Sequence, residues 1–245
     1  MNKIPAVILM FWIMKICATT LGETAGDLLS MTMNVGYGAS TLILLTFFVV
    51  TLAVQLAVTR YVPAVYWMVI LSTSTAGTTM SDFMDRTLGL GYVKGSALLI
   101  ALLCAVLFVW RKLEGTIAVD RITTRRGEVF YWAAILVSNT LGTAFGDFLA
   151  DSSGLGFAGG AALVGSLLLV FVVLTYKTKI SRVPLFWAAF VLTRPFGATM
   201  GDVLTKGHDK GGLGLGTVGS SAVLAIVLLI LIVITTRNVR KEALA

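Results

Sequence analysis

The sequence predicts an all-α integral membrane protein: eight transmembrane helices from four parallel two-helix repeats, with both termini cytoplasmic. Three observations predict it. First, 57% of the 245 residues are hydrophobic and 13% are charged, and mean hydropathy is +0.93. A soluble domain carries about 25% charged residues, so a surface this poor in charge has to face lipid. Second, one heptapeptide recurs at a fixed distance from a tryptophan. Third, the basic residues gather on one side of the predicted spans.

The heptapeptide is Leu21-Gly22-Glu23-Thr24-Ala25-Gly26-Asp27. Its copies are Ala76-Gly77-Thr78-Thr79-Met80-Ser81-Asp82, Leu141-Gly142-Thr143-Ala144-Phe145-Gly146-Asp147 and Phe196-Gly197-Ala198-Thr199-Met200-Gly201-Asp202. The first glycine lies ten residues, and the aspartate fifteen, after Trp12, Trp67, Trp132 and Trp187. The tryptophans are spaced 55, 65 and 55 residues apart, which suggests a unit duplicated and the pair then duplicated again. The halves are residues 1–120 (repeats 1–60 and 61–120) and 121–245 (repeats 121–180 and 181–245), within one membrane domain.

Each repeat reads as two spans. The first passes the tryptophan and ends in the motif: Pro5–Met31, Pro63–Asp85, Glu128–Asp151 and Pro184–Leu204. A glycine-rich break follows, as in Gly36-Tyr37-Gly38 or Gly89-Leu90-Gly91. The second span is almost purely apolar: Ala39–Thr59, Val93–Trp110, Ala158–Tyr176 and Thr217–Thr236. These runs match the roughly 20 residues that cross a ~30 Å hydrocarbon core. Because the first span already holds a motif copy, it reads as structure and not as a cleaved leader. The polar stretch Lys112–Glu128 reads as a connector between the halves. Cys17 and Cys104 lie in apolar runs and read as small buried residues without a disulfide.

The termini and the loops between repeats carry thirteen basic residues, among them Arg111, Lys112, Arg121, Arg125 and Arg126. The connections inside repeats carry four: Arg86, Lys94, Lys206 and Lys210. The positive-inside rule then places the termini in the cytoplasm of a bacterial-type inner (plasma) membrane, as a multi-pass protein. The net charge of +7 is explained this way and does not indicate nucleic acid. With an even number of spans per unit, all repeats enter in one direction, unlike the inverted repeats of many secondary transporters. The expected arrangement is a pseudo-fourfold or twofold-of-twofold bundle with the motif helices nearer the axis. The tryptophans, with Tyr66 and Tyr131, read as anchors at the membrane interface.

Four matched carboxylates in an apolar chain need an explanation. Asp27, Asp82, Asp147 and Asp202 fall at the far end of the motif helices, and Glu23 adds a carboxylate one turn before Asp27. Thr20, Thr75 and Thr140 sit at matched positions further in. Carboxylate and hydroxyl oxygens suit hard cations such as Mg²⁺, Ca²⁺ or Mn²⁺, and protons compete for the same groups. Ionisable groups inside a membrane mark ion pathways, because they are costly in hydrocarbon. The expected function is a transporter or channel for a small inorganic cation, divalent or proton-coupled, with these groups as ligands.

The alternative is a scaffold or accessory subunit. There the small-residue pairs Gly22/Gly26, Gly77/Ser81, Gly142/Gly146 and Gly197/Gly201 pack helices, and the aspartates cap the turns. Lys15 and Arg194 require partners: Lys15 could neutralise Glu23 or a neighbour, and Arg194 could reach a carboxylate of another repeat. No hydrolase triad, CxxC or HExxH is present, so no enzyme and no cofactor are expected. The divalent cation enters as substrate, and the expected partners are the bilayer and that cation.

The fourfold Trp-to-Gly-Asp register, with Arg60-Tyr61-Val62-Pro63-Ala64-Val65-Tyr66-Trp67 and Thr193-Arg194-Pro195, resembles an uncharacterised bacterial family of four-repeat multi-spanning "membrane-anchored" proteins. That resemblance covers essentially the whole chain and implies a fold without an activity. The acidic motif is also similar to the Glu-x-Gly-Asp signature of manganese and calcium exporters. Here three residues separate Glu23 from Asp27, and only the first repeat has the glutamate.

Overall fold

In the computed structural model, which describes residues 3–242, there is no strand among the described residues. The long helices are α1 (Leu9–Asp27), α2 (Tyr37–Ala57), α3 (Pro63–Asp82), α4 (Tyr92–Glu114), α5 (Arg125–Asp147), α6 (Gly156–Lys177), α7 (Arg182–Thr205) and α8 (Thr217–Glu242). Local chemistry sets their ends. Pro63 opens α3, where its missing N–H leaves no helical bond unmade. The Thr124 hydroxyl caps α5 by accepting the Gly127 N–H at 2.9 Å. Gly36 and Gly91 precede α2 and α4 with φ of 81° and 71°, a region costly for any side chain.

The four motif helices close a ring. α1 packs on α3, α3 on α5, α5 on α7, and α7 returns to α1. One register rule repeats at each seam. The glycine ten residues after a tryptophan meets the residue seven after the next one: Gly22 on Ser74, Gly77 on Asn139, Gly142 on Arg194 and Gly197 on Thr19. A methyl group at any of these glycines would overlap its neighbour, so the small residues set how closely the helices approach. The tryptophan ends of these helices touch one another and so do the aspartate ends, so the helices run in one direction.

The apolar helices lie outside, and each packs chiefly on the motif helix of the following repeat. α2 covers α3, α4 covers α5, α6 covers α7, and α8 covers α1. Their outward side chains, such as Leu42, Phe108, Leu169 and Val223, are largely exposed. Exposed apolar surface on that scale requires an apolar solvent or partner. Among the described residues, five helices are long and apolar enough to cross a membrane: α2, α4, α6, α8 and α5 with its extension to Ser152. α1, α3 and α7 are less apolar because their polar residues point at one another across the ring. Lys15, Thr73, Ser74 and Arg194 are all fully buried there.

The tryptophan end departs from the sequence reading. Trp67, Trp132 and Trp187 are buried and are not interface anchors. They join Phe11, Phe190 and Trp110 in an edge-to-face and tilted aromatic layer across the ring. The Tyr66 and Tyr131 hydroxyls meet at 2.6 Å inside it. The aromatic faces turn inward because the motif helices are the inner layer and the outer helices already cover the bundle. Tyr66→Phe leaves the buried Tyr131 hydroxyl without this partner and is expected to cost about 1–3 kcal/mol, read as a lower unfolding midpoint in detergent. Both cysteines are free, but Cys104 is exposed on α4 instead of buried.

Candidate functional site

Four-residue steps along each motif helix bring matched positions to the axis, as a helix period near 3.6 requires. From the tryptophan end, the layers are Lys15 with Ile70, Ile135 and Phe190; Thr19, Ser74, Asn139 and Arg194; Glu23, Thr78, Thr143 and Ala198; then Asp27, Asp82, Asp147 and Asp202. Of the next matched positions, Arg86 and Lys206 pair with the aspartates while Met31 and Asp151 are exposed. Hydrogen bonds and ion pairs link these layers.

Arg194 is fully buried and places NH2 2.9 Å from Glu23 Oε2. The same nitrogen lies 2.6 Å from the Thr78 hydroxyl and 2.7 Å from that of Thr143. Both hydroxyls also lie 3.2 Å from Glu23 Oε2, so each can accept from the guanidinium and donate to the carboxylate. All four motif helices thus meet around one ion pair on the axis. Arg194 Nε and NH1 find no acceptor among the described residues. Lys15, also fully buried, bonds Asn139 Oδ1 at 3.3 Å and stands 4.2 Å over the Phe190 ring. Asn139 in turn donates to the Thr73 and Ser74 hydroxyls. Lys15 therefore does not neutralise Glu23; Arg194 does.

Beyond Glu23 the four aspartates form two bridged pairs. Arg86 lies 3.0 Å from Asp82 and 2.9 Å from Asp147. Lys206 lies 2.9 Å from Asp27 and 3.1 Å from Asp202. Each cation comes nineteen residues after its tryptophan, one turn past its own aspartate, and reaches across a seam of the ring. The other two repeats have Met31 and Asp151 at that position, so only alternate seams are bridged. Burial works against the Lys206 charge, but the Asp202 and Asp27 carboxylates outweigh it and hold the amine above the usual lysine range.

The backbone also changes at this level. Directly after Asp27, Asp82 and Asp147 the helix loosens into a π-helical turn: Leu28–Thr32, Phe83–Thr87 and Phe148–Ser152. Such turns in helices are frequent at functional sites. The fourth repeat lacks one; α7 ends at Thr205 and the chain enters a glycine-rich loop.

One oxygen from each of Glu23, Asp147 and Asp202 lies within 4.8 Å of the others, and all three residues are buried. Each also has an oxygen committed to a protein cation: Glu23 Oε2 to Arg194, Asp147 Oδ2 to Arg86 and Asp202 Oδ1 to Lys206. Oxygens in such a set suit a hard divalent ion.

Thr20, Thr75 and Thr140 do not join this set. Their hydroxyls bond carbonyls of their own helices: Ile16; Leu71 and Ser72; and Leu136. The hydroxyls that meet the axial pair are Thr78 and Thr143, three residues later. The signal for them was register, since both occupy the Glu23 position of their repeats.

A repeat-family model described as "Repeat of Unknown Function (DUF347)" matches residues 10–61, 65–116, 130–181 and 185–241. The chain belongs to the DUF347 family. Its four DUF347 repeats are the four helix pairs of the fold, α1–α2, α3–α4, α5–α6 and α7–α8. No curated protein and no solved structure matches the chain. Each DUF347 repeat carries the Trp-to-Asp register, while the ionic groups around it differ from copy to copy: Glu23 in the first, Arg86 in the second, Arg194 and Lys206 in the fourth.

Proposed function

We propose that this protein is an inner-membrane carrier or channel for a small divalent cation, with all eight helices spanning the bilayer and both termini cytoplasmic. The observation that carries this reading is the convergence of Glu23, Asp147 and Asp202, from three different helices, with one oxygen of each within 4.8 Å of the others. Among the ion-paired groups inside the ring, five carboxylates face three cations, Arg86, Arg194 and Lys206. A formal excess of two negative charges among these ion-paired groups is the charge a divalent ion neutralises. On this topology the aspartate layer faces outward, and the axial Arg194–Glu23 pair and the aromatic layer close the path toward the cytoplasm.

The test is flux. Purified protein in liposomes loaded with a divalent-sensitive dye should pass Mn²⁺ or Ca²⁺, and Asp147→Asn with Asp202→Asn should reduce the rate to that of empty vesicles. Unchanged flux in the double variant would sink the reading.

One observation favours a second reading, a non-transporting membrane scaffold. The four aspartates are already ion-paired, and the glycines of the register sit at helix contacts. In that case aspartate substitutions lower stability and no ion matters. A saturable, ion-dependent rise in unfolding temperature that Glu23→Gln removes would exclude it.

A further inference from the structure

The two bridging cations are held very differently. Arg86 lies 5.9 Å from the Tyr37 ring and 5.8 Å from the Tyr92 ring, and it donates to the Tyr37 hydroxyl at 3.2 Å. It sits inside the π-helical turn Phe83–Thr87. Lys206 has no aromatic neighbour of this kind among the described residues. Among the described residues its ammonium pairs with Asp27 and Asp202, at 2.9 and 3.1 Å. It extends from the first residue past α7, at the mouth of the loop that includes Gly207, Gly211, Gly212, Gly214 and Gly216. A lysine head is a compact charge on a flexible stem, whereas a guanidinium between rings is fixed in plane and position.

Exposure separates the cations from the carboxylates. The side chains of Asp27, Asp82, Asp147 and Asp202 are 3–6% exposed, whereas those of Arg86 and Lys206 are 32% and 21% exposed. The cations therefore cover the carboxylates on the solvent side. An ammonium seated between two carboxylates is itself a bound cation. Asp202 belongs both to this seat and to the oxygen set it shares with Glu23 and Asp147.

We infer that Lys206 is a tethered occupant of the cation site, which an incoming divalent ion displaces, while Arg86 stays in place as a fixed half of the mouth. The inference rests on the cation reading above and adds how the site is entered and tuned. A divalent ion that takes oxygens of Asp202 and its neighbours removes the attraction that holds the ammonium. The stem then swings toward solvent and uncovers the Asp27–Asp202 seam. Lys206 thereby sets affinity: its charge is a built-in competitor, so weakly bound or monovalent ions fail to displace it.

The experiment uses the full chain in detergent with MnCl₂ as the probe. Lysine acylation by an amine-reactive ester, followed by peptide mass spectrometry, reports the exposure of the Lys206 amine in the wild-type protein. The exposed Lys94 serves as internal reference. Acylation of Lys206 should rise severalfold when Mn²⁺ is added, with Lys94 unchanged. In parallel, the unfolding midpoint is followed against Mn²⁺ concentration for wild type and Lys206→Met. Removing one positive charge a few ångströms from the site should tighten Mn²⁺ binding by about tenfold or more. If Mn²⁺ raises the midpoint but Lys206 stays protected and Lys206→Met binds no more tightly, the displacement is wrong and the cation site stands. If neither protein responds to Mn²⁺, the cation reading fails and this inference fails with it.

Discussion

Arg194→Met should be among the most damaging single substitutions in the chain. The methionine fills much of the same volume but leaves Glu23 buried at the axis without its counter-ion. Breaking a buried pair by removing one partner typically costs about 3–5 kcal/mol, and here the Thr78 and Thr143 hydroxyls lose their shared donor as well. Glu23→Gln should also destabilise, because it leaves a buried guanidinium whose Nε and NH1 already lack acceptors. The double variant Glu23→Gln with Arg194→Met should cost clearly less than the two singles together, since it leaves no unpaired charge. Chemical unfolding in detergent micelles measures all three. An Arg194→Met protein within about 1 kcal/mol of wild type would mean that the pair does not hold the bundle together.

Gly197→Val should open the seam between α7 and α1. A Cβ at Gly197 would stand 2.7 Å from the Thr19 Cβ and 2.9 Å from its carbonyl carbon. The obstacle is the α1 backbone itself, which a rotamer change cannot clear, so the helices must separate. Overpacking of this kind typically costs about 1–3 kcal/mol and occasionally more. The higher end is expected here, because separation at this seam also pulls Arg194 from Glu23 and Lys206 from Asp27. Gly219→Ala is the matched control, since a Cβ there meets nothing within 4 Å. In the first turn of α8 it should be neutral or slightly stabilising. Equal losses in the two variants would show that helix glycines matter in general and that the seam does not.

Much of this fold is legible in the residues. The Trp-to-Asp register repeats without error, so the helix pairs and their breaks follow from counting. The small-residue pairs foretell close helix contacts. What counting does not supply is the facing between helices. Arg194 can be seen to need a carboxylate of another repeat, but Glu23 is 171 residues away, and only the closure of α7 on α1 makes them neighbours. Thr78 and Thr143 look like simple replacements of Glu23 until the ring order sets them around it. Thr20, Thr75 and Thr140 are as polar as those two, yet each bonds its own helix, a choice that side-chain direction decides and residue type does not. Arg86 and Lys206 enter a sequence reading as topology markers, and their shared register nineteen residues after tryptophan only gains meaning beside the aspartates of adjoining repeats. The tryptophans mislead for the same reason: their usual role at a membrane interface assumes that the helix carrying them meets lipid.

The closure of the ring has a consequence for biosynthesis. The ribosome makes α1 well before α7 and α8, the helices that complete its surroundings. On the membrane reading, the translocon must accept α1, bearing Lys15 and Glu23, long before Arg194 exists. Until then that helix has to lodge beside α3 or within the insertion machinery, with its acid unmatched. A nascent chain that stalls before the fourth repeat keeps this mismatch, because Glu23 gains its counter-ion only when α7 joins the ring.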